Sequence, residues 1–201
     1  MEKKQQRKDN QKVARLLKVC LVGSSQDLID NLLNRQKWSK TFVPGFILYP
    51  VKVEDEFYKI QLRYFTRSDN HPNFLKNFYH GAYSLIFVLD TSEIGSLERI
   101  KSFFEEYLTF LPKIQMHPAS NPEYPYVLLS ISPDPSSLAN RKAGEYAQSI
   151  KAHFIQIQEE DERIIVEILK FLASNHLEYF KKLDSLRIGE EKPLSANEKR
   201  D

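Results

Sequence analysis

Residues 84–89 read Ser-Leu-Ile-Phe-Val-Leu, a run without a charge, and no other feature limits the fold as much. A short unbroken apolar run is a strand covered on both faces, which places it in the middle of a sheet. Tyr126–Ile131 is a second such run, and Lys18–Val22 is a shorter one that ends in Gly23-Ser24-Ser25, a turn. Helical spacing follows each of them. Asp27–Arg35 repeats Leu28, Ile29, Leu32 and Leu33 along one face, and Ser96–Leu108 is also helical. Ser136–Ile150 is a helix with Ser136 or Ser137 as its cap, and Glu160–Tyr179 is a long amphipathic one. Pro72–Tyr79 reads as a short helix with proline in its first turn, and Phe154–Ile157 as a last strand. Phe46–Val53 and Phe57–Phe65 alternate apolar and polar residues about Glu54-Asp55-Glu56, which predicts a hairpin. The whole is an α/β chain: a six-stranded, mostly parallel sheet with one antiparallel edge strand and helices on both faces. Residues 111–125 hold four prolines and read as an irregular loop.

Charge and composition bound the function. Lysine and arginine number 29 against 27 acids, a net +2, too balanced for whole-surface attraction to nucleic acid or an anionic membrane. Residues 1–18 carry seven cations and two anions, a local +5, so the remainder is −3. That pattern predicts a basic flexible extension over 1–16, a folded domain over 17–182 and a disordered tail over 183–201. The extension is a candidate arm for anionic lipid or an acidic partner. Glu2 stands where myristoylation needs glycine, and the chain ends without a prenylatable cysteine, so no lipid anchor is expected. No run approaches the roughly 18 apolar residues of a membrane span, and a cytoplasmic protein is expected. Cys20, the single cysteine, sits in the first strand and reads as a structural thiol. His71, His80, His117, His153 and His176 are scattered without metal-ligand spacing. Glu159-Glu160-Asp161-Glu162 suits a helix start.

Three stretches carry a resemblance. They are Lys18-Val19-Cys20-Leu21-Val22-Gly23, then Tyr58-Lys59-Ile60-Gln61-Leu62, and, most specific, Phe78-Tyr79-His80-Gly81-Ala82 running through Ser84-Leu85-Ile86-Phe87-Val88-Leu89 to Asp90. In order and spacing the chain resembles the Ras superfamily of small GTPases, in the manner of the Rab branch, over about residues 17–180. The resemblance implies the P-loop-NTPase-like small GTPase fold. It also implies a phosphate loop, a magnesium site and a guanine-reading loop.

The residues that would do that chemistry are replaced. In the phosphate loop's register Gly23 is kept, but Leu28, Ile29 and Asp30 stand where glycine, lysine and serine or threonine wrap phosphate and bind magnesium. Tyr64, Phe65, Thr66, Arg67 and Ser68 replace the second switch, and Val43 falls where the first switch has its magnesium threonine. Of the guanine-reading motif, matched to Ile131-Ser132-Pro133-Asp134, only Asp134 survives, and a Pro-Asp-Pro turn explains it as well. Gln158-Glu159-Glu160 replaces the last base-contacting loop. With six glycines in the chain, the backbone nests for phosphate are missing.

Two readings stay open. In the first the chain is a pseudo-GTPase, a nucleotide-free interaction or scaffold module in intracellular trafficking or signalling, with no cofactor and no hydrolysis. Its protein partner would bind the switch-equivalent face, with Trp38, Phe42, Phe46, Tyr64, Arg67 and Phe74 as contact candidates; sequence-specific nucleic acid is not expected. In the second it is a divergent GTPase that holds GTP or GDP with magnesium through Gly23, Ser24, Ser25, Gln26, Asp27 and Asp134. A coincidental likeness within another doubly wound protein would lack the antiparallel strand over 46–65.

Overall fold

The structure, a computed structural model, describes residues 14–35, 41–43, 46–65, 72–110, 126–159, 161 and 163–190. At 41–43, 65, 72–74, 183, 184 and 186–190 it describes the backbone alone. The expected extension up to residue 13 and the proline-rich segment 111–125 lie outside the described residues.

The strands are β1 (Arg15–Gly23), β2 (Thr41–Val43), β3 (Phe46–Val53), β4 (Glu56–Phe65), β5 (Ser84–Asp90), β6 (Tyr126–Ile131) and β7 (Ala152–Ile157). The helices are α1 (Gln26–Arg35), α2 (Pro72–Tyr79), α3 (Ser96–Phe110), α4 (Leu138–Ser149) and α5 (Ile164–Glu190). They build one sheet in the order β2-β3-β4-β1-β5-β6-β7. β1 lies parallel between β4 and β5, and β5, β6 and β7 follow in parallel. β3 runs antiparallel to β4, as the hairpin predicts. The six longer strands are the expected ones. The three-residue β2 is an addition that pairs antiparallel outside β3, so the antiparallel strand lies one place in from the edge. Three residues flanked by Pro44-Gly45 leave too short a pattern to read.

Alternation along β1, β5 and β6 divides the core in two. Leu17, Val19, Leu21, Ile86 and Val88 face α1 and α5. Cys20, Val22, Leu85, Phe87 and Leu89 face α2, α3 and α4. All six residues of Ser84–Leu89 are buried, as an unbroken apolar run requires. Helix α2 stops because Gly81 takes the left-handed conformation, φ 70°, after the His80 N–H closes the last turn on the Lys76 carbonyl.

Helix α5 runs past residue 182, where the tail was expected to begin, and reaches Glu190. Leu177 is buried in the core cluster with Leu17, Val51 and Tyr58, and Lys181 Nζ bonds both carboxylate oxygens of Glu54 at 2.9 and 2.7 Å. Arg15 adds an ion pair to Glu56 at 3.5 Å and lies over the Phe180 ring. These contacts hold the hairpin end against the second half of α5, which no local pattern announces. The acidic cluster at 159–162 precedes α5: Asp161 Oδ1 accepts the Arg163 N–H at 2.7 Å.

Candidate functional site

The carboxyl ends of β1, β5 and β6 form the edge where an open α/β sheet binds ligands. Two residues, Ser24 and Ser25, connect β1 to α1. The Ser24 N–H donates to the Val88 carbonyl at 2.9 Å, which straps the connection to β5. Ser25 caps α1: its Oγ accepts the Leu28 N–H and its carbonyl accepts the Ile29 N–H, both at 3.4 Å. Gln26, Asp27 and Leu28, which the phosphate-loop register places in an open loop, are therefore the first helical turn. Gln26 Nε2 donates to Asp30 Oδ1 at 2.8 Å, and Asp27 sits where the helix dipole favours an anion.

Leu28 and Ile29 are buried. The Ile29 side chain lies across Gly23 so closely that a Cβ there would run into Ile29 Cγ1 and Cδ1. Glycine at 23 thus admits an isoleucine side chain. An ion pair closes the other side of the connection. Ser24 Oγ donates to Glu93 Oε2 at 3.3 Å, and Glu93 Oε1 pairs with Arg99 Nη2 at 2.8 Å.

At the exit of β6, Asp134 Oδ1 accepts the Ser136 N–H at 2.9 Å and the Ser136 hydroxyl at 2.7 Å. These bonds hold its carboxyl below the ordinary carboxylate range. Asp90 after β5 does the same with Ser92, its Oδ1 accepting the N–H at 2.8 Å. Both crossovers therefore begin in side-chain-closed turns. A polar group that sequence reasoning missed lies behind Asp134. Asn140, on α4, is buried; its Oδ1 accepts the Ser130 hydroxyl at 2.8 Å, and its Nδ2 donates to the Pro135 carbonyl at 2.9 Å and to Gln156 Oε1. It joins β6, the turn, α4 and β7. An asparagine inside a helical pattern has no local signature for that role. Gln158 and Glu159, after β7, are exposed.

Helix α2, which follows the positions read as the second switch, is held from below. Lys18 Nζ donates to the Asn77 carbonyl at 3.2 Å and to that of His80, Arg63 Nη1 to Asn77 O at 3.5 Å, and Cys20 Sγ to Phe78 O at 3.2 Å. Three side chains of β1 and β4 thus satisfy carbonyls at the helix's last turn. Burial lowers the Lys18 ammonium, and it pushes the Cys20 thiol up to about 12, away from the thiolate that a nucleophile needs.

Of the partner-contact candidates, Phe46 and Tyr64 are half-buried and fall on opposite faces of the sheet, because β3 and β4 pair Ile47 with Leu62. They do not share a patch. Phe42 and Phe74 lie in β2 and α2, where the backbone alone is described; Trp38 and Arg67 lie outside the described residues, as does Glu160. A cleft of about 400 Å3 opens between the β5–α3 connection and the start of α4, with exposed Ile94 and Leu138 on its walls and Lys142 and Glu98 beside them. Among the described residues, no group of three His, Cys, Asp or Glu is placed to hold a metal, and no helix is long and apolar enough to cross a membrane.

No protein-family model matches the chain. Among curated proteins it is similar to the Ypt/Rab-type GTPase Rab7 of Gibberella zeae, 26% identical over 145 residues, covering 67% of this chain and 68% of that one. With the sheet order and the antiparallel hairpin, this likeness makes the chain small GTPase-like, with the mostly parallel α/β architecture of that fold.

Proposed function

We propose that this small GTPase-like chain is a pseudo-GTPase: a nucleotide-free interaction module that works through its switch-equivalent surface in intracellular trafficking or signalling. The observation that carries the reading is Ile29, whose side chain occupies the space over Gly23 that a phosphate-binding loop keeps open. The surroundings agree with it. Lysine is replaced by that isoleucine, the loop is shortened into a capped helix start, and Glu93 brings a carboxylate to Ser24. These residues do not fit a nucleotide phosphate with magnesium, and no catalytic step is derived from one.

In small GTPases the switches depend on the γ-phosphate and magnesium for order. Here the hold on α2 by Lys18, Arg63 and Cys20 uses protein groups alone, so a partner would meet a preset surface. The basic N-terminal arm is a candidate contact for an anionic membrane. The test is to purify the chain with magnesium, denature it, assay released GDP and GTP, and titrate a fluorescent GTP analogue with and without EDTA. No nucleotide, and no binding up to about 100 μM, is the expected result. Stoichiometric GDP or submicromolar affinity overturns the reading. It favours the divergent-GTPase alternative, in which Asp134 and Ser24 to Asp27 hold the ligand.

A further inference from the structure

Strands β3, β4 and β1 turn one side toward α5 and α1, through Ile47, Tyr58, Ile60 and Leu17. Their other side is read from the register. Lys52 pairs with Phe57 at the hairpin end. In the next row Pro50 pairs with Lys59, and Lys59 with Leu16. Farther along, Lys18 and Arg63 pass under α2 and leave this surface. In the lower half no described residue covers the strands in this way: Leu16 is 66% exposed, Phe57 48%, and Pro50, Lys52 and Lys59 are exposed.

The charges divide across the sheet. Glu54 and Glu56, at the hairpin end, are drawn to the α5 side by Lys181 and Arg15. On the open side, positions 46, 48, 50 and 52 of β3, 57, 59, 61 and 63 of β4, and 16 and 18 of β1 hold no carboxylate. Lys59 has no carboxylate partner among the described residues, and the Lys52 ammonium lies over the exposed Phe57 ring, 5.5 Å from its centre. These strand positions therefore mix apolar and cationic groups without an acid: Phe57 and Lys59 stand on the middle strand, Lys52 beside Phe57, and Pro50 and Leu16 on either side of Lys59. The three strands are spaced about 4.8 Å apart, so the outer two are about 10 Å apart, the width of one α-helix with its side chains.

We propose that the open lower face of β3, β4 and β1 docks an acidic amphipathic helix of a protein partner, its apolar stripe on Leu16 and Phe57 and its carboxylates on Lys52 and Lys59. The surface is at the hairpin end of the strands, away from the phosphate-loop counterpart, and it does not depend on whether a nucleotide binds. Two ammonium groups, those of Lys52 and Lys59, are fewer than the roughly four to eight that hold an anionic bilayer, which favours the helix.

The test presents the full chain to a phage-displayed peptide library, with counter-selection on the Lys52→Glu/Lys59→Glu variant. Enriched peptides are expected to carry Asp and Glu with apolar residues at helical spacing. The synthetic consensus peptide should bind wild type and lose at least about ten-fold in affinity to Lys52→Glu/Lys59→Glu and to Leu16→Ser/Phe57→Ser. All four positions are exposed, and unchanged thermal melts of both variants separate a lost surface from a lost fold. Enrichment of other sequence types, or a consensus peptide indifferent to both variants, overturns the proposal. So does co-sedimentation with phosphatidylserine-containing vesicles that Lys52→Glu/Lys59→Glu abolishes, which would assign the surface to a membrane.

Discussion

Replacing Ile29 tests the reasoning about the altered site most directly. The side chain is fully buried, lies over Gly23, and shares the core cluster of Leu28, Leu32 and Val88. Ile29→Ala removes three buried carbons. At about 0.8 kcal/mol each, plus the cavity left behind, the loss is about 3 kcal/mol. For a chain of this size that is a fall in Tm of about 6–12 °C. Ile29→Lys restores the cation that a phosphate loop carries, but it loses the same packing and must also place an ammonium in a dry site. Its cost should exceed that of alanine by about 1 kcal/mol or more. The lysine would not make a phosphate site, because Glu93 and the capped start of α1 are unchanged. Urea unfolding measures the first effect and fluorescent-GTP titration the second. The reasoning is refuted if Ile29→Lys keeps wild-type stability, or if that single change creates submicromolar GTP binding.

Three further outcomes are expected. His176 lies among Tyr58, Tyr83 and Phe180, with Tyr58 Oη 3.3 Å from its Nδ1; burial, and to a lesser extent Arg15, lowers its pKa to about 4. The folded imidazole is thus neutral where the unfolded one, near its ordinary 6.5, takes a proton. Stability should be full above about pH 6.5 and fall by about 1–2 kcal/mol toward pH 4, a figure reduced for the ring's partial exposure; urea midpoints at several pH values check this, and His176→Phe should flatten that part of the profile. Asn140→Ala should cost about 2–3 kcal/mol, because it strands the Ser130 hydroxyl and Gln156 and empties a buried site, measurable by denaturant unfolding. Cys20, fully buried with its thiol raised to about 12, should resist a thiol reagent at pH 8 in the native protein and react stoichiometrically in denaturant; fast native labelling would contradict its placement in β1.

Local pattern was enough for the elements and their order. Runs such as Ser84–Leu89 stand alone as buried strands, and the spacing of Leu28, Ile29, Leu32 and Leu33 makes α1, because a strand's two-residue and a helix's 3.6-residue repeat are written in neighbouring residues. The antiparallel hairpin was legible for the same reason, and so was the replacement of the phosphate-loop lysine by Ile29, which is a matter of residue identity. What Ile29 does was not legible. That it lies over Gly23, and that Ser25 caps α1 two residues after β1, depends on where the helix starts against the sheet. Contacts between residues far apart in the chain decided the rest. Glu93 meets Ser24 across 69 residues, Lys181 meets Glu54 across 127, and Asn140 joins three elements. Each is a polar group whose partner is set by packing, and a linear pattern records no packing. The acid-free open face of the hairpin belongs to both: alternation put the lysines on one side of the strands, and only the placement of α5 and α2 decided which side was left uncovered.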